Sequence, residues 1–103
     1  MRKIDVTMVR IYLTEAEAHQ GTLLKRLHDW EKVRGVTVFR GTNGFGLSGK
    51  FHTSRLLDLS LDLPVVLEFF DEPDKIDSII EHLSGFIEAG HIVSWPAQLT
   101  VED

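Results

Sequence analysis

The sequence predicts an α+β domain in which two helices cover one face of a four-stranded antiparallel sheet. Segments rich in β-branched and aromatic residues alternate with two segments of helical periodicity, in the order β-α-β-β-α-β. The length of 103 residues and the hydrophobic fraction of 43% suit one soluble domain covering residues 1–103. We therefore expect a single sheet with a single core beneath the helices.

The first two elements are predicted from their apolar periodicity. Residues 4–13 are rich in Val, Ile and aromatic side chains and predict a strand. Their alternation changes phase near Met8, so either a bulge lies there or the strand is buried on both faces. Residues 21–34 predict a helix that ends at Gly35. Its apolar stripe consists of Leu23, Leu27, Trp30 and Val33, and places Trp30 in the core.

The remaining elements complete the predicted sheet. Residues 36–40 form a second strand, and residues 64–70, which are apolar on both sides, form a third and central one. Residues 71–74 start a second helix, with solvated carboxylates near its positive end.

That helix carries a stripe of isoleucines and leucine, and Ala89-Gly90 end it. Residues 91–101 form the last strand. Pro96 removes a ladder hydrogen bond, which places this strand at an edge or a bulge.

Two split β-α-β units in this order give the ferredoxin-like arrangement, with both helices on one face. The opposite face has no cover within the chain. Because the first and third strands are apolar on both faces, we expect a second copy of the chain to cover the open face.

A basic segment rich in glycine predicts where a ligand binds. Between Lys32 and Leu57 there is no acidic residue, although the formal net charge of the chain is −5. Glycine lets backbone N–H groups approach an anion closely, and arginine binds phosphate or carboxylate through two parallel hydrogen bonds. The predicted ligand-binding residues in this segment are Arg40, Gly41, Gly44, Gly46, Lys50, His52 and Arg55. The alternative is a solvated hairpin tip whose cations pair with Asp58 and Asp62.

Two phosphate-binding motifs match this segment in residue types but not in structural context. Residues 44–49 fit G-x-G-x-x-G, and residues 44–50 fit the start of a P-loop. Phe51 stands where a P-loop needs Ser or Thr, and residues 52–54 do not begin a convincing long helix. Neither literal interpretation is favoured.

Composition excludes several other functions. The acidic balance argues against nucleic-acid binding, and no apolar run is long enough to span a bilayer, so we expect a cytoplasmic protein without membrane insertion. The chain has no cysteine, and its five histidines lack the spacing of a helical metal motif. Two alternatives stay open: a small-molecule enzyme with His52 as base, and an oligomer that binds divalent metal.

The chain also resembles a known family. The residues that carry the resemblance are Arg40-Gly41-Thr42-Asn43-Gly44-Phe45-Gly46, then residues 52–60, then Asp62-Leu63-Pro64-Val65-Val66. They resemble the domain of unknown function 190 family, whose members are small prokaryotic proteins similar to the PII signalling proteins. The resemblance extends over nearly the whole chain, with departures at Thr42-Asn43, Lys32 and Arg34.

The resemblance implies a PII-like trimer whose sheets face inward. Our leading hypothesis is a regulator without enzymatic activity. Residues 41–59 correspond to the loop by which PII proteins contact their partners. Adenine nucleotides bind PII proteins between subunits at the base of that loop, which implies AMP, ADP or ATP as an effector here. The matching positions include Gly90 and His91 on the far side of the cleft.

Overall fold

The structure, a computed structural model, describes residues 1–14, 17, 20–45, 51–53 and 63–103. Its main sheet has four antiparallel strands in the order β2-β5-β1-β6, namely β1 Arg2–Thr14, β2 Val36–Arg40, β5 Pro64–Asp71 and β6 Ile92–Val101. The short strands β3 Asn43–Phe45 and β4 Phe51–Thr53 pair in a separate hairpin. The predicted α+β architecture is confirmed, with β5 in the interior and the strand containing Pro96 at an edge.

The first strand contains no bulge. Its ladder with β5 runs without interruption from Thr7 to Thr14, and its ladder with β6 from Arg2 to Ile11. Alternation therefore places Val9 and Ile11 beneath the helices and their even-numbered neighbours on the opposite face. The phase change near Met8 reflects a strand that is apolar on both faces.

The core lies between the sheet and the helices. Helix α2 spans Pro73–Leu83, begins with Pro in its first turn, and buries Ile76, Ile79 and Leu83 against Val9, Ile11, Leu67 and Phe69. The helix ends earlier than the predicted Gly90. Successive turns follow it, held by the bonds from the Gly85 and Phe86 amides to the carbonyls of His82 and Leu83. Ile87 still reaches the core from these turns.

The first helix differs from its prediction in its second half. Helix α1 spans Gln20–Lys25 and continues as a π-helical turn over Arg26–Trp30. The chain then reverses at Lys32, whose φ of 53° is in the left-handed region, and not at the predicted Gly35. The prediction that Trp30 belongs to the core is wrong, because its exposed fraction is 77%.

A buried carboxylate fixes this reversal against the sheet. Asp71, predicted to be solvated, is only 3% exposed because it ends β5 on the helix-covered face. Its Oδ2 lies 3.0 Å from Lys75 Nζ, and its Oδ1 lies 3.5 Å from Arg34 Nε. Lys75 also donates to the Lys32 carbonyl at 2.6 Å. One carboxylate thus joins α2 to the segment that leads into β2.

The charges around Asp71 hold its pKa below the ordinary value. Burial alone raises the pKa of this carboxyl, but the Glu72 amide, Lys75 and Arg34 together outweigh burial. The Glu72 amide donates to Oδ1 at 2.8 Å. The charged form of Asp71 is therefore the one that the fold stabilises.

The other face of the sheet is largely apolar. Register and alternation place on it Ile4, Met8, Tyr12, Phe39, Val66, Phe70, Val93, Trp95, Ala97 and Leu99. Tyr12, Phe39, Val93 and Trp95 are each 36–47% exposed. We call this surface the open face.

One ion pair interrupts the open face. Arg10 Nε donates to Glu68 Oε1 at 2.9 Å, and the Arg10 guanidinium lies over the Trp95 ring at 5.6 Å from its centroid. Hydrogen bonds to Glu68 and then to Tyr12 raise the pKa of Arg10. The pair thus sits among aromatic side chains in the middle of an apolar surface.

Candidate anion-binding groove

A groove of about 430 Å³ forms where the ends of several strands meet. Tyr12 to Thr14 of β1, the end of β2, the β3 strand and the start of β5 line it, with His91 just before β6. Four of the residues predicted to bind an anion converge here: Arg40, Gly41, Gly44 and His91. Residues that are about fifty positions apart in sequence thus share one cleft.

Gly41 is required by the close approach of two strands. Its amide donates to the Pro64 carbonyl at 2.8 Å. A Cβ at position 41 would lie 2.6 Å from Pro64 Cγ, a distance that real Cβ contacts essentially never show. The floor of the groove therefore depends on glycine at this position.

Gly44 and Gly90, the other two described glycines of the predicted site, contribute in different ways. A Cβ at Gly44 would lie 3.6 Å from Pro64 Cγ, which is ordinary contact, so packing alone does not require glycine there. Gly90 does not line the groove. Its φ of 95° is in the region that favours glycine, and this turn delivers the next residue, His91, to the groove.

His91 is held by the backbone of β1. Its Nδ1 lies 2.7 Å from the Tyr12 carbonyl oxygen, and the Tyr12 amide donates to the His91 carbonyl at 2.9 Å. Since a carbonyl only accepts, Nδ1 carries the proton. Nε2 is then an acceptor in the neutral ring and a donor only when the ring is protonated. His91 can donate to an anion through Nε2 in its cationic form.

The described lining also contains a carboxylate. Glu17 Oε1 accepts from the amide and the hydroxyl of Thr14, both at 3.0 Å, and the Glu17 amide donates to Thr14 Oγ1 at 3.2 Å. This reciprocal pattern is typical of a capping box. With Arg40 and Glu17 both present, the formal charges of the described lining cancel when His91 is neutral.

Sequence reasoning missed the aromatic wall of the groove. Tyr12, Phe39 and Phe45 line it and are 43%, 46% and 68% exposed. Aromatic side chains beside a cation suit a ligand that has both a planar ring and a negative charge. The alternation of β1 and β2 could have predicted Tyr12 and Phe39, because it places both side chains on the open face.

Part of the predicted site lies outside the described residues. Gly46, Lys50 and Arg55 lie outside the described ranges, as do the leucine-rich positions 57–62. The structure describes only the backbone of His52, which pairs with Gly44 in the β3–β4 hairpin.

The described residues place limits on two other kinds of site. Among residues 1–14, 17, 20–45, 51–53 and 63–103, no group of three or more His, Asp or Glu could hold a metal ion. Within the same ranges, no helix is long and apolar enough to cross a membrane.

The family resemblance is confirmed by comparison with known proteins. The model of the family described as DUF190, Uncharacterized ACR, matches residues 6–99. The chain belongs to this family. A "UPF0166 protein" of Aquifex aeolicus (strain VF5) is 33% identical over 90 residues, which cover 82% of this chain and 85% of that protein.

Solved structures confirm the PII-like, ferredoxin-like fold. CPII from Thiomonas intermedia K12, a nitrogen regulatory PII-like protein bound to ADP, AMP and bicarbonate, has a TM-score of 0.69 at 20% identity, covering 97% of this chain and 91% of CPII. CutA1 from Oryza sativa has a TM-score of 0.60 at 14% identity, covering 98% and 85%. At these identities the likeness is one of fold.

Proposed function

We propose that the protein is a non-enzymatic, PII-like regulator that binds an adenine nucleotide in the groove. The observation that carries the proposal is the convergence of Arg40, Gly41, Gly44 and His91 beside an aromatic wall. Arg40 and protonated His91 supply charge for the phosphates, and Tyr12, Phe39 or Phe45 supplies a surface for the base. The groove volume of about 430 Å³ falls in the range of small-molecule sites.

The proposal includes an assembly, which we take to be a trimer. Tyr12, Phe39 and Val66 belong both to the groove and to the open face. A protomer that covers the open face therefore closes one side of the groove. Covering this face also removes a large apolar surface from water, the main driving force for association.

Tyr12 connects the ligand to the assembly. It lines the groove, and it lies two residues from Arg10 on the same face of β1, next to the ion pair at the centre of the open face. A ligand that orders Tyr12 changes the surroundings of Arg10. The partner-contacting role of residues 41–59, which begin at Gly41 in the groove floor, rests on the same proposal.

Binding is tested by calorimetry with AMP, ADP and ATP on the assembled protein. Arg40→Ala should weaken nucleotide binding at least ~10-fold, because it removes a charge-assisted contact to phosphate. Arg2→Ala is the matched control, since Arg2 lies exposed at the start of β1. Equal affinity of wild type and Arg40→Ala for every nucleotide would exclude this site. Bicarbonate, to which CPII is bound in addition to ADP and AMP, belongs in the titration as a second anion.

Assembly is measured independently by native mass spectrometry. A trimer has three times the protomer mass of 11.7 kDa. A protein that stays monomeric at micromolar concentration contradicts the proposal, whatever the calorimetry shows.

A further inference from the structure

The π-helical turn after α1 exchanges the side chain that faces the core. The Glu31 amide donates to the Arg26 carbonyl at 3.0 Å, five residues back instead of four. After this wider turn, Glu31 and not Trp30 faces the protein interior. Glu31 is consequently 9% exposed and Trp30 is 77% exposed.

Two side chains contact the inward carboxylate. Arg26 Nη2 lies 3.2 Å from Glu31 Oε2, and His82 Nδ1 lies 3.0 Å from Glu31 Oε1. The Arg26 guanidinium also covers the Phe86 ring at 5.2 Å from its centroid. In a regular α-helix, Trp30 and Glu31, three and four positions after Leu27, would both lie on the side of Leu27. The chain thus forgoes the favourable burial of an indole and builds a polar cluster instead.

The displaced indole borders a basic depression. Thr22, Lys25, Arg26 and Trp30 line a shallow depression of about 460 Å³, which we call the Trp30 patch. Lys25 is exposed, and within residues 1–14, 17, 20–45, 51–53 and 63–103 no carboxylate lies within ion-pair distance of its ammonium. Trp and Arg are the residue types that dominate binding energy at protein interfaces.

The Trp30 patch lies on the helical layer, away from the open face. The four residues that line the patch are all different from those that line the groove. π-helical turns inside helices occur frequently at functional sites.

We propose that the Trp30 patch is a docking site for a protein segment that presents a carboxylate beside an aromatic or aliphatic side chain. Charge complementarity selects this occupant: Lys25 pairs with the carboxylate, and Trp30 covers the apolar side chain. The net charge of −5 repels an acidic segment from most of the surface, so its attraction is confined to basic patches such as this one. The inference does not depend on the nucleotide.

A displayed library of random 12-residue peptides, selected on the assembled wild-type protein, tests the proposal. We expect enrichment of peptides that carry Asp or Glu within two positions of Trp, Phe or Leu. A labelled enriched peptide should bind Trp30→Ala and Lys25→Glu at least tenfold more weakly in fluorescence polarisation. Lys3→Glu, at an exposed position in β1, makes the same charge change and should leave peptide binding within twofold.

Three results would overturn the proposal. They are no enrichment over an unrelated protein, equal peptide binding by Trp30→Ala, and a lower assembly mass for Trp30→Ala, which would make the occupant a second copy. Unchanged melting of Trp30→Ala and unchanged ADP calorimetry separate loss of the patch from loss of fold or of the nucleotide site.

Discussion

The two faces of the central sheet carry similar apolar side chains but differ in what lies over them. Beneath the helices, Val9, Ile11, Leu67 and Phe69 are each at most 1% exposed. On the open face, Tyr12, Phe39, Val93 and Trp95 are 36–47% exposed. The composition of a strand therefore shows that both faces of the sheet are apolar. Only the topology shows which of the two faces is covered by the helices of the same chain.

Each face also contains a carboxylate with a basic partner, in different surroundings. Asp71 on the covered face has a side chain only 5% exposed and contacts Lys75. Glu68 on the open face is 21% exposed and pairs with Arg10. The covered pair holds elements of one protomer together, whereas the open pair lies where a second protomer is proposed to sit.

The strongest test of this difference substitutes two adjacent phenylalanines of β5. Phe69→Ala should destabilise the protomer by about 3–5 kcal/mol, because it leaves a cavity in the core. Phe70→Ala, the matched change on the open face, should act mainly through assembly. Urea unfolding at several protein concentrations measures both free energies of unfolding.

The two variants should differ in their concentration dependence. If the open face is covered by another protomer, the cost of Phe70→Ala depends on protein concentration, while that of Phe69→Ala is large at every concentration. An equal, concentration-independent loss in both variants contradicts the distinction between the faces.

A charge on the open face should separate the protomers without unfolding them. Phe70→Glu places a carboxylate opposite Met8 in the ladder, on a surface that is apolar in the proposed assembly. The native mass should fall to that of the protomer, 11.7 kDa. Ser78→Glu, at an exposed position of α2, is the control and should keep the wild-type mass. An unchanged mass for Phe70→Glu, with circular dichroism like that of wild type, would show that another surface joins the protomers.

The sequence predicted the sheet well because its strands have strong local signals. The apolar stretch of residues 64–70 indicated an interior strand, and Pro96 indicated an edge or a bulge. In the structure β5 is interior and β6 lies at the edge. Helix α2 also begins as predicted at its acidic, proline-containing start. These signals depend on residues close together in the chain.

The misassigned positions depend on contacts across the chain. Glu31 displaces Trp30 because Arg26 and His82 support a carboxylate there. The helical periodicity of residues 21–34 cannot indicate a contact with His82, which lies on the other helix. Asp71 is buried because Arg34 and Lys75 converge on it from either side. Periodicity assumes a regular α-helix and solvated charges, and both assumptions fail where a tertiary ion pair forms.

Only part of the groove was predicted, because some of its residues come together through contacts between distant parts of the chain. Glycine and arginine in one segment located Arg40, Gly41 and Gly44, and the family resemblance added His91. Tyr12 and Glu17 reach the groove only because β1 ends beside β5. That adjacency is a property of strand order, which residue types alone do not identify.

The smallest expected effects come from neutralising the two carboxylates, Asp71 and Glu68, one at a time. Asp71→Asn should destabilise the protein by about 1–3 kcal/mol at pH 7, because it leaves Lys75 and Arg34 without their buried partner. Glu68→Gln, more exposed, should cost less in the separated protomer. Urea unfolding in the Phe70→Glu background, at pH 7, 5 and 3.5, measures both effects without the contribution of assembly.

The pH dependence follows from the lowered pKa of Asp71. A carboxyl whose pKa is lower in the folded than in the unfolded state contributes stability above the unfolded value of about 3.9, and this contribution is lost as the pH falls through the folded value. The cost of Asp71→Asn should therefore be largest at pH 7 and shrink at pH 3.5. A cost that is the same at pH 7 and pH 3.5 would mean that the charge of Asp71 does not stabilise the fold. The Lys75 bond to the Lys32 carbonyl would then remain as a contact between α2 and this turn.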